Sequence, residues 1–457
     1  MNKEQQTSLT FLGAAGTVTG SKYLLKTPTK NILIDCGLFQ GLKDLRLLNW
    51  NVLPVDVSSI DLVILTHGHL DHVGYLPLLI KQGFNGKIFA TEPTVEITKL
   101  ILLDSAKIQE EDAERANRNN YSKHKPAKPL YDTKEAEAVF PFFESKPLKI
   151  PIEITNDVSF QFKYNGHILG ACFIELKIKN KTIVFSGDIG RINDPLMYET
   201  DYPETADVIV MESTYGNRLH SEDPKQLLAN EINKAESKQG TIIIPSFAVE
   251  RTQLIMFLLW QLGNEKKIPK IPIYMDSPMG SHVLEVFHKN LKWHKLSLVE
   301  SIEICSQIRI IKNEVETEKI LRDKTPKIII ASSGMATGGR VLSYFEKYIG
   351  DAKATILLAG YQGEGTRGRA LLDGAKEIKM RGKLWKVNAS ISLIEGLSAH
   401  ADQSELIHWL SKVKNKPEKI FITHGEKIAA KTLIEKIKEN YGWLAVAPQL
   451  NQTSVLF

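Results

Sequence analysis

Short apolar runs that end in polar loops recur along the chain. Residues 61–66 are a nearly continuous apolar run, followed by a histidine-rich loop and by an apolar pattern of helical period over about 73–82. This pattern predicts a buried strand, a polar loop and a helix. Further strands are predicted directly before polar residues, at 182–185, 208–211, 241–244, 328–331 and 420–422. Because parallel strands of α/β folds end at a common edge, we expect their loops to gather chemistry there.

The N-terminal segment is rich in glycine. Residues 9–35 predict two strands around a turn that contains Gly13, Gly16 and Gly20. A dinucleotide-binding fingerprint is the alternative interpretation. It fails because GxGxxG is absent and residues 21–25 have the pattern of a strand where that motif requires a helix.

Composition sets broad limits. With 457 residues, 43% of them hydrophobic, the chain can bury more than one core, so we expect two domains. The net charge of +5 favours the approach of an anionic substrate but is far from that of a nucleic-acid-binding tail. A polar N-terminus and the lack of a long apolar run predict a cytoplasmic protein with no membrane association. Cys36, Cys172 and Cys305 are far apart and predict buried thiols.

The densest chemical signal is the segment His67-Gly-His69-Leu-Asp71-His72, placed directly after a predicted buried strand. A single histidine is usually a core or surface residue, but three imidazoles and a carboxylate in six residues are rare. Neutral imidazole and carboxylate are ligands that Zn²⁺ prefers. His67 and His69 can turn toward one ion while Asp71 and His72 turn toward a second.

Two ions close together need a shared ligand. Asp188, after a predicted strand, is the natural bridging carboxylate, and His167 and His424 would complete the two sites. Each is a weak signal alone, since an aspartate at a strand end often caps a helix and a histidine beside glycine often lies in a turn. Together with the histidine-rich loop they predict a two-metal centre.

The order of these candidate residues along the chain resembles that of the motifs of the metallo-β-lactamase superfamily, in its β-CASP branch of nucleases. The resemblance covers essentially the whole chain. The nearest resemblance is to the compact bacterial relatives of the mRNA 3′-end-processing endonuclease, without a preceding KH-type domain or a further C-terminal domain. The matching positions are Asp35, His67, His69, Asp71, His72, His167, Asp188, Glu212, His400 and His424. Leu397 and Lys427 depart from the commonest family text but are not ligand positions.

The resemblance implies a four-layer αββα metallo-β-lactamase domain with an inserted β-CASP α/β domain. The predicted bounds are 1–212 and 380–457 for the metallo-β-lactamase domain and 213–379 for the insert. The active site is expected in the cleft between the two.

The resemblance also implies a ribonuclease with two Zn²⁺ per chain, Mn²⁺ being an alternative ion, and a single-stranded RNA substrate. One ion would be held by His67, His69 and His167, the other by Asp71, His72 and His424, with Asp188 and a hydroxide between them. His400, oriented by Glu212, would be the general acid, and Asp35 would steady the histidine loop. RNA is favoured over DNA because the RNA-acting branch has histidine at the position of His424. A homodimer is implied by resemblance alone, and endonuclease and 5′-exonuclease modes both stay open.

Loops of the insert are candidates for phosphate binding. The segment 332–340 follows a predicted strand and contains hydroxyls, glycines and an arginine, and the segment 246–251 has the same character. A packing turn rich in glycine is the alternative for the first segment. The tentative substrate residues are Ser332, Ser333, Gly334, Arg340, Ser246 and Arg251.

Two other functions compete with the ribonuclease. A thioesterase or lactonase could use the same metal fold, but the long insert and the segment around His400 argue against a small-molecule hydrolase. A non-catalytic RNA-binding or scaffolding relative is the third possibility. Such relatives usually lose ligands, and this sequence lacks none.

Overall fold

The computed structural model describes residues 6–120, 122–220 and 223–457. They form two compact units: the first comprises the chain up to Leu219 together with His400–Phe457, and the second is His220–Ala399. Among the described residues, no helix is long and apolar enough to cross a membrane.

The strands follow the apolar runs of the sequence. They are β1 Ser8–Phe11, β2 Tyr23–Lys26, β3 Asn31–Ile34, β4 Leu62–Ile64, β5 Lys87–Ala90, β6 Phe143–Ser145, β7 Ile152–Thr155, β8 Val158–Tyr164, β9 Cys172–Ile178, β10 Lys181–Phe185, β11 Val208–Met211, β12 Ile242–Pro245, β13 Ile273–Asp276, β14 Arg309–Ile310, β15 Ile328–Ala331, β16 Thr355–Ala359, β17 Glu377–Met380, β18 Lys383–Lys386, β19 Ser390–Ile394, β20 Lys419–Ile422, β21 Ala445–Val446 and β22 Thr453–Val455. In β8 every second side chain is buried, the period expected of a strand with one face on the core.

The helices are α1 Lys43–Leu48, α2 Leu70–Val73, α3 Leu76–Lys81, α4 Glu92–Arg118, α5 Thr133–Glu137, α6 Pro224–Ser237, α7 Arg251–Asn264, α8 Pro278–Lys289, α9 Leu298–Gln307, α10 Glu314–Arg322, α11 Val341–Tyr348, α12 Arg367–Leu372, α13 Gln403–Leu410 and α14 Lys427–Tyr441. Short 3₁₀ turns lie at Val57–Ser59, Phe140–Phe142, Leu291–Trp293 and Glu395–Leu397.

The first unit contains two mixed sheets. Their strand orders are β22-β1-β2-β3-β4-β5-β6 and β21-β20-β11-β10-β9-β8-β7. One apolar cluster takes side chains from both sheets, including Phe11, Ile34, Phe162 and Phe185. A second cluster packs α13 and α14 on the other face of the second sheet, around Trp409. These layers agree with the predicted αββα arrangement.

Two local predictions need correction. Residues 9–35 form three strands, because the chain returns as β2 before it reaches β3. In place of one helix over 73–82 the structure has two short helices, α2 and α3. The first already begins at Leu70, within the histidine-rich segment, and the helical hydrogen bonding is interrupted at Gly74 and Tyr75.

The second unit is built on a parallel sheet in the order β14-β13-β15-β12-β16-β19, beside the antiparallel ribbon β17-β18. The C-terminal bound of this unit, Ala399, differs from the predicted bound. β19 pairs in parallel with β16 over its whole length, from Thr355↔Ser390 to Ala359↔Ile394. Residues 380–399 therefore belong to this unit, and the predicted end at 379 is too early.

Candidate metal centre

The first unit brings the predicted ligands together at the ends of neighbouring strands. In the second sheet β10, β11 and β20 are adjacent and parallel, so the residues that follow them, Asp188, Glu212 and His424, emerge at one edge. In the first sheet β3 and β4 are also parallel, and they lead to Asp35 and His67. The topology thus explains why residues far apart in sequence share one site.

The first group of ligand atoms comes from three imidazoles and one carboxylate oxygen. His67 Nε2 lies 3.1 Å and His167 Nε2 lies 3.2 Å from His69 Nδ1. Asp188 Oδ2 lies 3.4 Å from His67 Nε2 and 3.6 Å from His167 Nε2. Ligand atoms of these four residues all lie within 4.8 Å of one another.

The second group lies against the other oxygen of the same aspartate. His72 Nε2 is 3.2 Å from His424 Nε2, which in turn is 3.5 Å from Asp71 Oδ2. Asp188 Oδ1 lies 3.3 Å from His72 Nε2 and 3.4 Å from His424 Nδ1. Each oxygen of Asp188 therefore faces a different group of imidazoles.

The separations fit a metal ion better than direct contacts between side chains. Two ligands each ~2.0–2.1 Å from a tetrahedral ion lie roughly 3.4 Å apart, close to the values seen here. Asp188 Oδ1 is buried, and although imidazole nitrogens of His72 and His424 lie 3.3 and 3.4 Å away, it accepts no well-formed hydrogen bond among the described residues. A buried carboxylate oxygen left in this state is costly unless a cation binds it.

Four of these side chains have the charge state that a metal ligand needs. Burial lowers the pKa of His67 to about 3 and that of His69 to about 4, so both rings are neutral and offer a lone pair. Burial raises the pKa of the Asp71 and Asp188 carboxyls, but His424 and His72 lower it more, so both carboxyls are ionised. Burial lowers the pKa of His72 too, yet Asp188 and Asp35 outweigh it and raise the pKa well above its usual value. His72 therefore tends to keep a proton, which it would have to lose in order to act as a ligand.

Outer hydrogen bonds orient the ligands. Asp35 lies 2.8 Å from His72 Nδ1 and accepts from the backbone N–H and the hydroxyl of Thr66 at 2.8 and 2.9 Å. Asp35 therefore links β3 to the histidine loop, as the resemblance implied. Sequence reasoning missed two hydroxyls: Thr66 Oγ1 lies 3.1 Å from His67 Nδ1, and Thr214 Oγ1 lies 3.1 Å from His424 Nδ1. A threonine directly before the histidine loop was the one available signal.

His400 and Glu212 form a pair beside the ligands. His400 Nδ1 lies 3.2 Å from both carboxylate oxygens of Glu212. Glu212 has a fully buried side chain, whereas that of His400 is 15% exposed. Backbone N–H groups of Ile189 and Thr214 also donate to Glu212, at 2.6 and 3.2 Å. Because its oxygens are already engaged, Glu212 is suited to orient His400 more than to bind an ion, although it lies within ligand distance of Asp188 and His424.

The tentative substrate residues all lie in the second unit, at the carboxyl edge of its sheet. Arg340 donates to Thr317 Oγ1 at 2.7 Å and lies 3.7 Å from the buried Asp276. Ser333 Oγ accepts from two backbone N–H groups of its own loop, those of Thr337 and Gly338. These contacts brace the glycine-rich loop, the packing role that the sequence left open.

Arg251 is different from Arg340. It is 6% exposed, and its Nε and Nη1 have no hydrogen-bond partner among the described residues, although Nε lies 3.5 Å from Glu250 Oε2. Ser246 is buried and accepts from Thr252, and a Cβ at Gly334 would lie 2.6 Å from the ring of Phe247. Substrate contacts by these residues, and by Ser332 at the end of β15, stay predictions.

Two facing sheets with clustered imidazoles and carboxylates at their edge define a metal-dependent hydrolase. Three family models match the chain: the metallo-β-lactamase superfamily over residues 15–243, the Beta-Casp domain over 252–371, and the Zn-dependent metallo-hydrolase RNA specificity domain over 385–448. The chain belongs to the metallo-β-lactamase superfamily, in its β-CASP group.

Similar proteins cover nearly all of the chain. Ribonuclease TTHA0252 of Thermus thermophilus is 30% identical over 91% of this chain and 92% of its own length. An RNase J-like protein of Methanocaldococcus jannaschii is 30% identical over 92% of each chain. Transcription termination factor FttA of Methanosarcina mazei is 30% identical over 95% of this chain and 69% of its own. A crystal structure of a protein of unknown function from Enterococcus faecalis, 14% identical, covers 98% of this chain with a TM-score of 0.52 and is like it in fold.

Proposed function

We propose that this protein is a ribonuclease that hydrolyses RNA phosphodiester bonds with two zinc ions. The observation that carries the proposal is the placement of Asp188, whose two oxygens face two separate groups of imidazoles. The names of two similar proteins and of the family model over residues 385–448 support RNA as the substrate. That model spans both His400 and His424.

The ligand sets follow from the two groups. His67, His69 and His167 would hold one ion, Asp71, His72 and His424 the other, and Asp188 both. When bound, the ions would supply an activated water and offset the negative charge that develops on the phosphate. His67 and His69 stay neutral because they are buried, so no proton has to leave them before the ligands can act.

His400 completes the chemistry. Burial lowers its pKa, but Glu212 raises it more, so the ring tends to keep a proton. Glu212 accepts from Nδ1, which leaves Nε2 to donate to the leaving oxygen of the ribose. The partial exposure of His400 allows a substrate to reach it, while the burial of Glu212 keeps the pair fixed.

Cleavage of 5′-labelled single-stranded RNA, beside the matching DNA, tests the function. Purified protein with Zn²⁺ or Mn²⁺ should cut RNA, and His400→Ala should lower kcat by about 10²–10⁴ without loss of bound metal. His408→Ala is a matched control, because His408 lies exposed on α13 outside the site. The fragment sizes decide between endonuclease and exonuclease modes.

Metal stoichiometry tests the two-ion arrangement independently. Wild-type protein should bind two equivalents of zinc, and His67→Ala and His424→Ala should each bind one. Protein that binds metal but cuts no RNA would favour the small-molecule hydrolase or the scaffold. A single equivalent in wild type would contradict the two-ion proposal and leave the ribonuclease activity open to its own test.

A further inference from the structure

A buried lysine lies behind the histidine loop of the first unit. Lys22 is 1% exposed, and its Nζ donates to the carbonyl oxygens of Gly20 at 3.1 Å and Gly37 at 2.6 Å. The ammonium also lies 4.4 Å from the ring centre of Phe39 and 5.2 Å from that of Tyr75. Among the described residues no carboxylate is within ion-pair distance of it. The ammonium is therefore stabilised mainly by two carbonyls and two aromatic faces.

The two carbonyls belong to chain segments that hold the second group of ligands. The N–H of Ser21, next to Gly20, donates to Asp71 O at 2.8 Å. The N–H of Cys36, next to Gly37, donates to His72 O at 2.7 Å. Gly37 N–H donates to Ser21 O at 3.0 Å, which joins the two segments. Lys22 thus joins the two segments whose backbone N–H groups donate to the carbonyl oxygens of Asp71 and His72.

The approach of these segments is close. A Cβ at Gly37 would lie 1.6 Å from Asp71 O, and a Cβ at Gly20 would lie 2.6 Å from the ring of Phe39. Any side chain at either position would push the segments apart. Within the described part of the chain, the segments joined by Lys22 make no backbone hydrogen bond to His67, His69 or His167.

We propose that Lys22 is a positioning residue for one of the two metal sites, the one built from Asp71, His72 and His424. The inference rests on the two-ion arrangement proposed above. Lys22 holds the segments of Gly20 and Gly37 together, and they in turn fix the backbone of Asp71 and His72. The other site, with ligands His67, His69 and His167, does not depend on it.

The ammonium is needed because the two carbonyls are buried. A methionine would fill the same space but leave both oxygens without a donor, and a buried acceptor without a partner is unfavourable enough to move the loops toward other donors or water. Burial lowers the pKa of Lys22 to about 8, so near neutral pH the group still carries its proton.

Stepwise zinc titration of Lys22→Met against a chromophoric chelator tests the inference. One zinc equivalent should bind roughly 10–100-fold more weakly than in wild type, the range typical of residues that support metal ligands, and the other should be unchanged. In the His67→Ala background, where the remaining equivalent is held by Asp71, His72 and His424, Lys22→Met should weaken that equivalent to the same degree. In RNA cleavage at subsaturating zinc, kcat should fall while KM is unchanged.

Lys327→Met is the matched control. Lys327 is also fully buried and also donates to backbone carbonyls, those of Ile320 and Asp323. It differs from Lys22 in lying in the second unit and in having a carboxylate oxygen, Asp323 Oδ2, at 3.3 Å. Its substitution should lower the unfolding temperature and leave both zinc affinities as in wild type. Should Lys22→Met fail to fold, Lys22→Gln, which loses the charge and shortens the reach, takes its place in the titration.

Two results would overturn the inference about Lys22. Equal weakening of both zinc equivalents would show a general structural role, and unchanged affinities with a lowered unfolding temperature would show a role in folding only. Either would leave the ribonuclease proposal intact. A wild-type protein with one zinc equivalent would instead contradict the two-ion arrangement, and the site-specific inference with it.

Discussion

Single residues of the centre act through their hydrogen bonds as much as through their own chemistry. Glu212 accepts hydrogen bonds from two backbone N–H groups, and both of its oxygens lie beside His400. These contacts fix the orientation of its carboxylate. The Nδ1 atom of His400 in turn lies 3.2 Å from both of these oxygens. In the proposed mechanism, the proton for the leaving group would therefore be the one on Nε2.

Glu212→Gln should separate orientation from metal binding. An amide group keeps the shape but presents N–H₂ to a partner that is itself a donor, so the hold on His400 weakens and its pKa loses the support of a negative charge. We expect kcat to fall by about 10–100-fold, with zinc content unchanged, measured by RNA cleavage and metal analysis of the same preparation. Loss of one zinc equivalent in this variant would instead assign Glu212 to the ligands.

At this scale the sequence pointed to the candidate ligands and to Asp35, but not to the supporting contacts of Thr66, Thr214 and Lys22. Three histidines and an aspartate within six residues are visible in any reading of the chain, because metal ligands are few in type and tightly spaced. Lys22 is not visible, since a lysine beside a predicted strand normally points to solvent. Its burial depends on Gly20 and Gly37 meeting in space, and no local pattern encodes that meeting.

In helix α4, a carboxylate whose charge is unfavourable in the folded state lies beside the apolar positions that pack against the rest of the unit. Its buried positions include Ile97, Ile101 and Leu102, which face the rest of the unit. Asp104 lies beside them, and burial raises the pKa of its carboxyl to about 6, an effect that Lys107 reduces and Glu111 increases. The folded state therefore binds the proton of Asp104 more tightly than the unfolded chain does.

Asp104→Asn should stabilise the protein at neutral pH and not at acid pH. Because the folded pKa is raised, the carboxyl destabilises the fold increasingly as the pH rises from about 4 through about 6. The neutral amide avoids this, so the free energy of unfolding should rise by up to about 3 kcal/mol at pH 8 and change little at pH 4. Urea unfolding of metal-free wild type and variant at both pH values measures the difference. A gain of equal size at pH 4 would contradict the electrostatic cause.

Element boundaries show where the sequence pattern stops being informative. The strands that lead to Asp188, Glu212 and His424 were predicted within a residue or two, because apolar runs before polar loops are local signals. The sequence did not predict that β19 belongs to the second unit, where it pairs with β16. Its alternation marks a strand, but the choice of β16 as partner is set by packing in the second unit and not by its own period.

The whole molecule places all predicted ligands in one unit, although they come from both ends of the chain. His67 and Asp188 lie before the second unit in sequence and His424 lies after it. The second unit has its own apolar core, built around residues such as Ile329 and Phe345, and contains none of the predicted ligands. Metal binding should therefore stabilise the two units unequally.

Hydrogen exchange with and without zinc tests this asymmetry. Free zinc at about 100 times its dissociation constant stabilises the state that binds it by about 2.7 kcal/mol. Exchange should slow in peptides that contain β10, β11 and β20, whose ends carry ligands or His400's partner Glu212. Peptides from β12 and β15 of the second unit should exchange at the same rate with chelator as with zinc. Equal slowing in both units would contradict the prediction, because it would mean that the ions stabilise the whole molecule as a single body. No change in β10, β11 and β20 would instead argue that the clustered imidazoles bind no metal.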